Sequence, residues 1–91
     1  MIINKEQFEF IDSFFKNDNT MDIYTPIGSK VIFSFPNNGT EHEQNIAKKY
    51  LILNKEYTIE KIEIGSWHTD VFLKEIKNIS FNSVLFSNKE V

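Results

Sequence analysis

Residues 53–86 read LNKEYTIEKIEIGSWHTDVFLKEIKNISFNSVLF. Four short apolar runs stand there almost end to end, separated by the turn-forming pairs Asn54-Lys55, Gly65-Ser66 and Lys77-Asn78. Runs so closely spaced predict a small antiparallel meander. Along Tyr57 to Ile64 the alternation slips: Tyr57 and Ile59 have one parity, Ile62 and Ile64 the other. One extra residue near Glu60-Lys61, a β-bulge, turns both pairs to the core and bends the strand. The following strands are predicted over 67–76 and 79–86, with 87–91 left as a frayed polar tail. At the first turn, Asn54 is a residue that tolerates the left-handed region.

Upstream, Gly28-Ser29-Lys30 is a turn, and Val31, Phe33 and Phe35 alternate toward one face until Pro36-Asn37-Asn38-Gly39 ends the strand. Thr40-Glu41-His42-Glu43 has the form of a capping box, acidic residues fill the first turn and Lys48-Lys49 the last. A helix is therefore predicted at about 40–51, with Ile46, Ala47, Tyr50 and Leu51 as a narrow apolar stripe. Met21 to Pro26 reads as a short extended segment. A second helix is predicted over 4–16, where Asn4 and Gln7 form another capping box and Ile3 can staple onto Phe8. Its core stripe is Phe8, Ile11 and Phe15. Phe10 and Phe14 fall on a different side, and a helix lying on a sheet needs one stripe, not two.

The chain has 91 residues, enough for one domain near the lower edge of what folds without staples. It has no cysteine, so packing alone must supply the core. Thirteen Ile and nine Phe provide bulky, strand-favouring side chains for it. Net charge is −3, and all ten basic residues are Lys. The absence of Arg, the side chain suited to bidentate phosphate and guanine contacts, counts against sequence-specific nucleic-acid binding. No apolar run approaches the roughly 20 residues of a membrane span. The first residues lack the pattern of a signal peptide. A soluble, cytoplasmic protein without a membrane partner is expected.

A strand, a long excursion, a turn and a three-strand meander make the layout of an SH3-like barrel. The expected fold class is accordingly α+β, mainly β: a small SH3-like antiparallel barrel over 28–86, with an N-terminal helix and a short helical insertion. Gly28-Ser29-Lys30-Val31-Ile32-Phe33, then Leu51-x-Leu53-Asn54-Lys55-Glu56-Tyr57-Thr58-Ile59, then Phe81-Asn82-Ser83-Val84-Leu85-Phe86 resembles a group of small proteins encoded by phages and by prophages of low-GC bacteria. Their pattern is a glycine-lysine turn feeding a Tyr-Thr-Val strand; here Asn54 stands in the glycine position. The matching residues are turn and core positions, so the resemblance brings no catalytic site. It implies a phage accessory protein of the kind that disables a host component, including defence systems, or sequesters their nucleotide signals.

Trp67-His68-Thr69-Asp70 is the one cluster that joins a large aromatic, an imidazole and a carboxylate. Continued alternation places His68 and Asp70 on one face, as a base held by a carboxylate or a ligand contact. Trp67, Thr69 and Val71 then take the other face. The plainer alternative is a surface His-Asp pair on a strand whose Trp67 plugs the barrel. No serine sits in a recognisable nucleophile elbow, so no catalytic residue is assigned. His42 lacks a metal-ligand spacing and reads as part of an acidic helix start; no metal or cofactor is expected. Tyr24, Tyr50 and Tyr57 offer a stacking platform, although core packing is the plainer use of Tyr57. Phe10 and Phe14 form a homodimer or partner surface unless 21–27 folds over them.

The leading expectation is a non-catalytic binding or inhibitor protein, acting on a host protein or a small nucleotide-like ligand. Its surfaces would be the Trp67–Asp70 edge, the helical insertion with Tyr50, or Phe10 and Phe14. The alternative is a nucleic-acid or translation-associated module using Lys48, Lys49, Lys55 and Lys61. A hydrolase built on His68 and Asp70 is the third reading.

Overall fold

The computed structural model describes residues 20–89. The helix expected over 4–16, with Phe10 and Phe14, lies outside the described residues. In chain order the elements are β1 (Lys30–Phe33), α1 (Glu41–Tyr50), β2 (Glu56–Ile64), β3 (Thr69–Leu73), β4 (Ile76–Asn82), a 3-10 helix (Ser83–Leu85) and β5 (Phe86–Asn88). The strands form one antiparallel sheet in the order β4-β3-β2-β1-β5. The fold is mainly β, with one α-helix among the described residues.

The bulge falls where the broken alternation puts it. Ile59 pairs with Leu73 but Lys61 with Phe72, which leaves Glu60 as the extra residue. Tyr57 and Ile59 are buried, and Ile62 packs against the core from beyond the bulge. Ile64, expected inside, is 55% exposed, because β2 has run past the core by then. Asn54 takes the left-handed conformation, φ 67°, and its N–H donates to the Phe33 carbonyl. The core joins Val31 and Phe33 of β1, Val71 and Leu73 of β3, Phe81, Leu85 and Phe86 to Ala47 and Leu51 of the helical insertion. Phe86 is tilted against Phe33 and edge-on to Phe81, each at 6.3 Å between ring centres, a favoured aromatic arrangement.

Four expectations need correction. The sheet is open rather than a closed shell: β4 and β5 are its two edges. After β4 the chain coils into the 3-10 helix, and β5 then pairs with β1 instead of returning to β4. Ser87 and Asn88, assigned to a frayed tail, belong to that strand opposite Ile32 and Val31. The β3–β4 turn sits at Lys74 and Glu75, three residues before the Lys77-Asn78 pair. Asn78 is left-handed, φ 67°, but inside an irregularity of β4 between the Phe72–Ser80 and Leu73–Ile76 pairs. Finally, Met21 to Pro26 is not a strand; it makes turns, anchored where the Met21 N–H donates to the Phe86 carbonyl (2.7 Å).

Candidate functional site

Trp67 does not plug the core: it is 96% exposed. The Gly65 N–H donates to the His68 carbonyl (2.9 Å), which closes the β2–β3 hairpin and leaves Ser66 and Trp67 at its tip. Strand alternation stops at that hydrogen bond, so the parity that turns Thr69 and Val71 inward does not reach Trp67. A Cβ at Gly65 would lie 2.7 Å from the His68 carbonyl oxygen, so only glycine permits this approach.

Beside the tip lies a cleft of about 490 Å³, walled by Trp67 and His68 on one side and by Asn38, Thr40 and Glu43 on the other, with Asn82 between them. Its far wall is the first turn of α1, built by the predicted capping box. The Glu43 N–H donates to Thr40 Oγ1 (3.2 Å) and the Thr40 N–H donates to Glu43 Oε1 (2.7 Å). The loop before it is tied down: Asn38 Nδ2 donates to the Val84 carbonyl (2.8 Å), and Gln44 Nε2 to the Asn37 carbonyl (2.9 Å). Gly39 has φ +80°, and a Cβ there would meet Glu43 Oε1 at 2.8 Å.

Asn82 joins the helix to the sheet. Its Nδ2 donates to Glu43 Oε2 (3.0 Å), while its Oδ1 accepts from the Val84 N–H (3.2 Å) and caps the 3-10 helix. The Glu43 carboxylate is therefore held at both oxygens. The Thr40 backbone N–H is the main cause that lowers its pKa below the ordinary 4.5; burial opposes this, and Asn82, the Thr40 hydroxyl and the charge of His68 reinforce it. The group stays ionised at neutral pH.

His68 Nε2 lies 3.2 Å from Asp70 Oδ1, so the expected pair forms, with both side chains partly exposed. A smaller cavity of about 200 Å³ brings His42, Glu43, Asp70 and Ser80 together on the other side of Asn82. No hydrogen bond among the described residues joins the Ser80 hydroxyl to either imidazole, so a nucleophile–base pair is not assembled there. No group of three or more His, Asp or Glu among the described residues has the geometry to hold a metal ion.

Tyr50 is separate. It lies in the last turn of α1, half-exposed, with Lys49 Nζ 5.5 Å from its ring centre, roughly 13 Å along the helix from the Glu41 end. Tyr57 is buried and its hydroxyl accepts from the Ile52 N–H (2.8 Å), which removes it from any stacking platform. Of the lysines offered as a stripe, Lys61 is paired with Glu63 at 2.7 Å. Elsewhere Lys77 pairs with Glu60 and Lys89 with Glu56, so carboxylates interrupt the basic surface.

Glu43 and Asn82, 39 positions apart, were not singled out from the sequence as site residues. Glu43 is visible there as a capping residue. Asn82, a short amide at the end of an apolar strand, is the one other hint. No helix of the described residues is long and apolar enough to cross a membrane.

A family model described as bacteriophage T4 protein Y07B matches residues 29–90, which includes every strand among the described residues and the helix α1. No curated protein and no solved structure matches the chain. The chain belongs to the bacteriophage T4 protein Y07B family, a family of phage proteins.

Proposed function

We propose that this phage-family chain is a non-catalytic binding protein that occludes a bacterial host protein through the Trp67 hairpin tip and the cleft beside it. The observation that carries the reading is a tryptophan held almost wholly in solvent by a tight hairpin, next to a carboxylate fixed at both oxygens. Aromatic anchors beside concave, pre-organised polar groups are what interfaces use for their strongest contacts. The scaffold supports it. Strand order β4-β3-β2-β1-β5, a bulged central β2 and a 3-10 turn before the last strand agree with an SH3-like barrel that has an open seam. The hairpin tip and the α1 insertion then border one edge of that barrel.

The lining favours a protein over a nucleotide signal. Glu43 puts negative charge in the cleft and no lysine among the described residues lines it, which is unfavourable for phosphate. A defence protein is one kind of host target that such occlusion would serve. The nucleic-acid reading has less support: of its four lysines Lys61 is engaged by Glu63, and elsewhere Lys77 and Lys89 are engaged by Glu60 and Glu56.

The test is to isolate tagged protein from the infected host and weigh the intact complexes by native mass spectrometry, with wild type and Trp67→Ala side by side. The reading expects a stoichiometric host protein on wild type that is lost from Trp67→Ala, with the two free proteins equally folded by circular dichroism. Wild type recovered alone, or a partner held equally well by Trp67→Ala, would contradict it. A polyanion titration at two salt concentrations separates the nucleic-acid alternative, for which affinity must fall steeply with salt.

A further inference from the structure

We infer that the cleft between the Trp67 tip and the first turn of α1 receives a guanidinium, the side chain of an arginine on the partner. This rests on the binding role just proposed and names the chemistry that the site would recognise.

Three features of the site converge on that group. Glu43 is oriented by the Thr40 N–H on one oxygen and by Asn82 on the other. A carboxylate offers about four acceptor positions, more than the Thr40 and Asn82 donors fill, so acceptor capacity remains for a ligand. Two parallel N–H groups of a guanidinium match such a pair of oxygens, and an ammonium does not. The ordering of Glu43 is already accomplished by folding, which lowers the cost of binding.

Trp67 supplies the second feature. Its exposed ring borders the same cleft, and a planar cation stacks on an indole better than on any other side chain. The third is charge. Among the described residues Glu43 and His68 are the ionisable groups that line this cleft and no lysine does, and the chain as a whole carries −3. The protein also contains no arginine, so no side chain of its own can fill the cleft in this way.

Trp67 is the sole tryptophan, so its emission reports on the site directly. The probe is the peptide acetyl-Gly-Ser-Arg-Ser-Gly-amide, titrated at constant ionic strength beside its citrulline and lysine counterparts. Citrulline keeps the shape of arginine and removes the charge. The arginine peptide is expected to change Trp67 emission saturably, with Kd of about 1 mM or tighter. The citrulline and lysine peptides should bind at least about tenfold more weakly. Glu43→Gln should weaken the arginine peptide by about tenfold or more. Glutamine also serves in a capping box, so an unchanged melting temperature shows that the helix start is intact. No saturation up to about 10 mM, equal binding of citrulline or lysine, or an unaffected Glu43→Gln would each overturn the assignment. A host complex that is lost in Trp67→Ala but kept in Glu43→Gln would leave the binding role standing and refute only the guanidinium.

Discussion

Glu75 belongs to the turn between β3 and β4, yet its carboxylate reaches back to β2. It accepts from the Thr58 N–H at 2.8 and 3.1 Å and from the Thr58 hydroxyl at 2.8 Å, while Lys30 Nζ donates to that hydroxyl oxygen at 2.6 Å. Thr58 adjoins the bulge, and its carbonyl accepts from the Lys74 N–H, so the turn and the bent strand are fastened to each other. Burial pushes the Glu75 carboxyl up, but the hydrogen bonds from Thr58 and from its own backbone N–H, with the charge of Lys30, together outweigh it and the pKa falls below the ordinary 4.5. A carboxylate with a lowered folded-state pKa contributes stability above its unfolded value, and that contribution is lost as pH falls through the folded value. Thermal unfolding of wild type should therefore lose stability as pH drops below 4.5, more steeply than in Glu75→Gln. At pH 7 Glu75→Ala should cost about 1–3 kcal/mol, since it leaves the Thr58 N–H without an acceptor in a buried place. A pH profile identical for wild type and Glu75→Gln would show that the fastening contributes nothing.

The helix α1 is the element that joins scaffold to site, and its start is held by two reciprocal bonds. Thr40→Ala should cost about 1 kcal/mol in urea unfolding, as for other N-cap losses. Combined with Glu43→Ala it should cost less than the sum, because each side chain satisfies the other's backbone; full additivity would mean that the two act independently. This element was legible in the sequence, since a capping box is a local signal over four residues. So were the Glu60 bulge, which two opposed parities require, and the left-handed Asn54. Features fixed by distant partners were not. Nothing near Asn82 in the chain announces Glu43, and nothing near Ser87 and Asn88 announces their register on β1. Alternation carried back from β3 puts Trp67 inside, whereas the Gly65-Ser66 turn ends the alternation before it reaches Trp67. The same limit applies at β4, where Asn78 does take a left-handed conformation but relieves an irregularity instead of reversing the chain.

For the molecule as a whole, an open five-strand sheet must be held at its short edge, and β5 is only three residues long. Phe86 supplies that hold: it is fully buried, meets the Phe33 and Phe81 rings, and takes the Met21 N–H on its carbonyl. Phe86→Ala should cost about 3–5 kcal/mol, a large share of the 5–15 kcal/mol typical of a small domain, and urea titration would detect it as a lowered midpoint. Among the described residues the scaffold keeps Phe33, Tyr57, Phe81 and Phe86 inside, and the most exposed aromatic, ahead of Tyr24 and Tyr50, is the exception at the hairpin tip. That exception is the centre of the functional account, and it can be read directly because the chain has a single tryptophan. Acrylamide quenching of Trp67 in the isolated protein should match that of free tryptophan and fall sharply once the host partner is bound. Shielding already present in the isolated protein, or unchanged quenching in the complex, would contradict a binding surface built on Trp67.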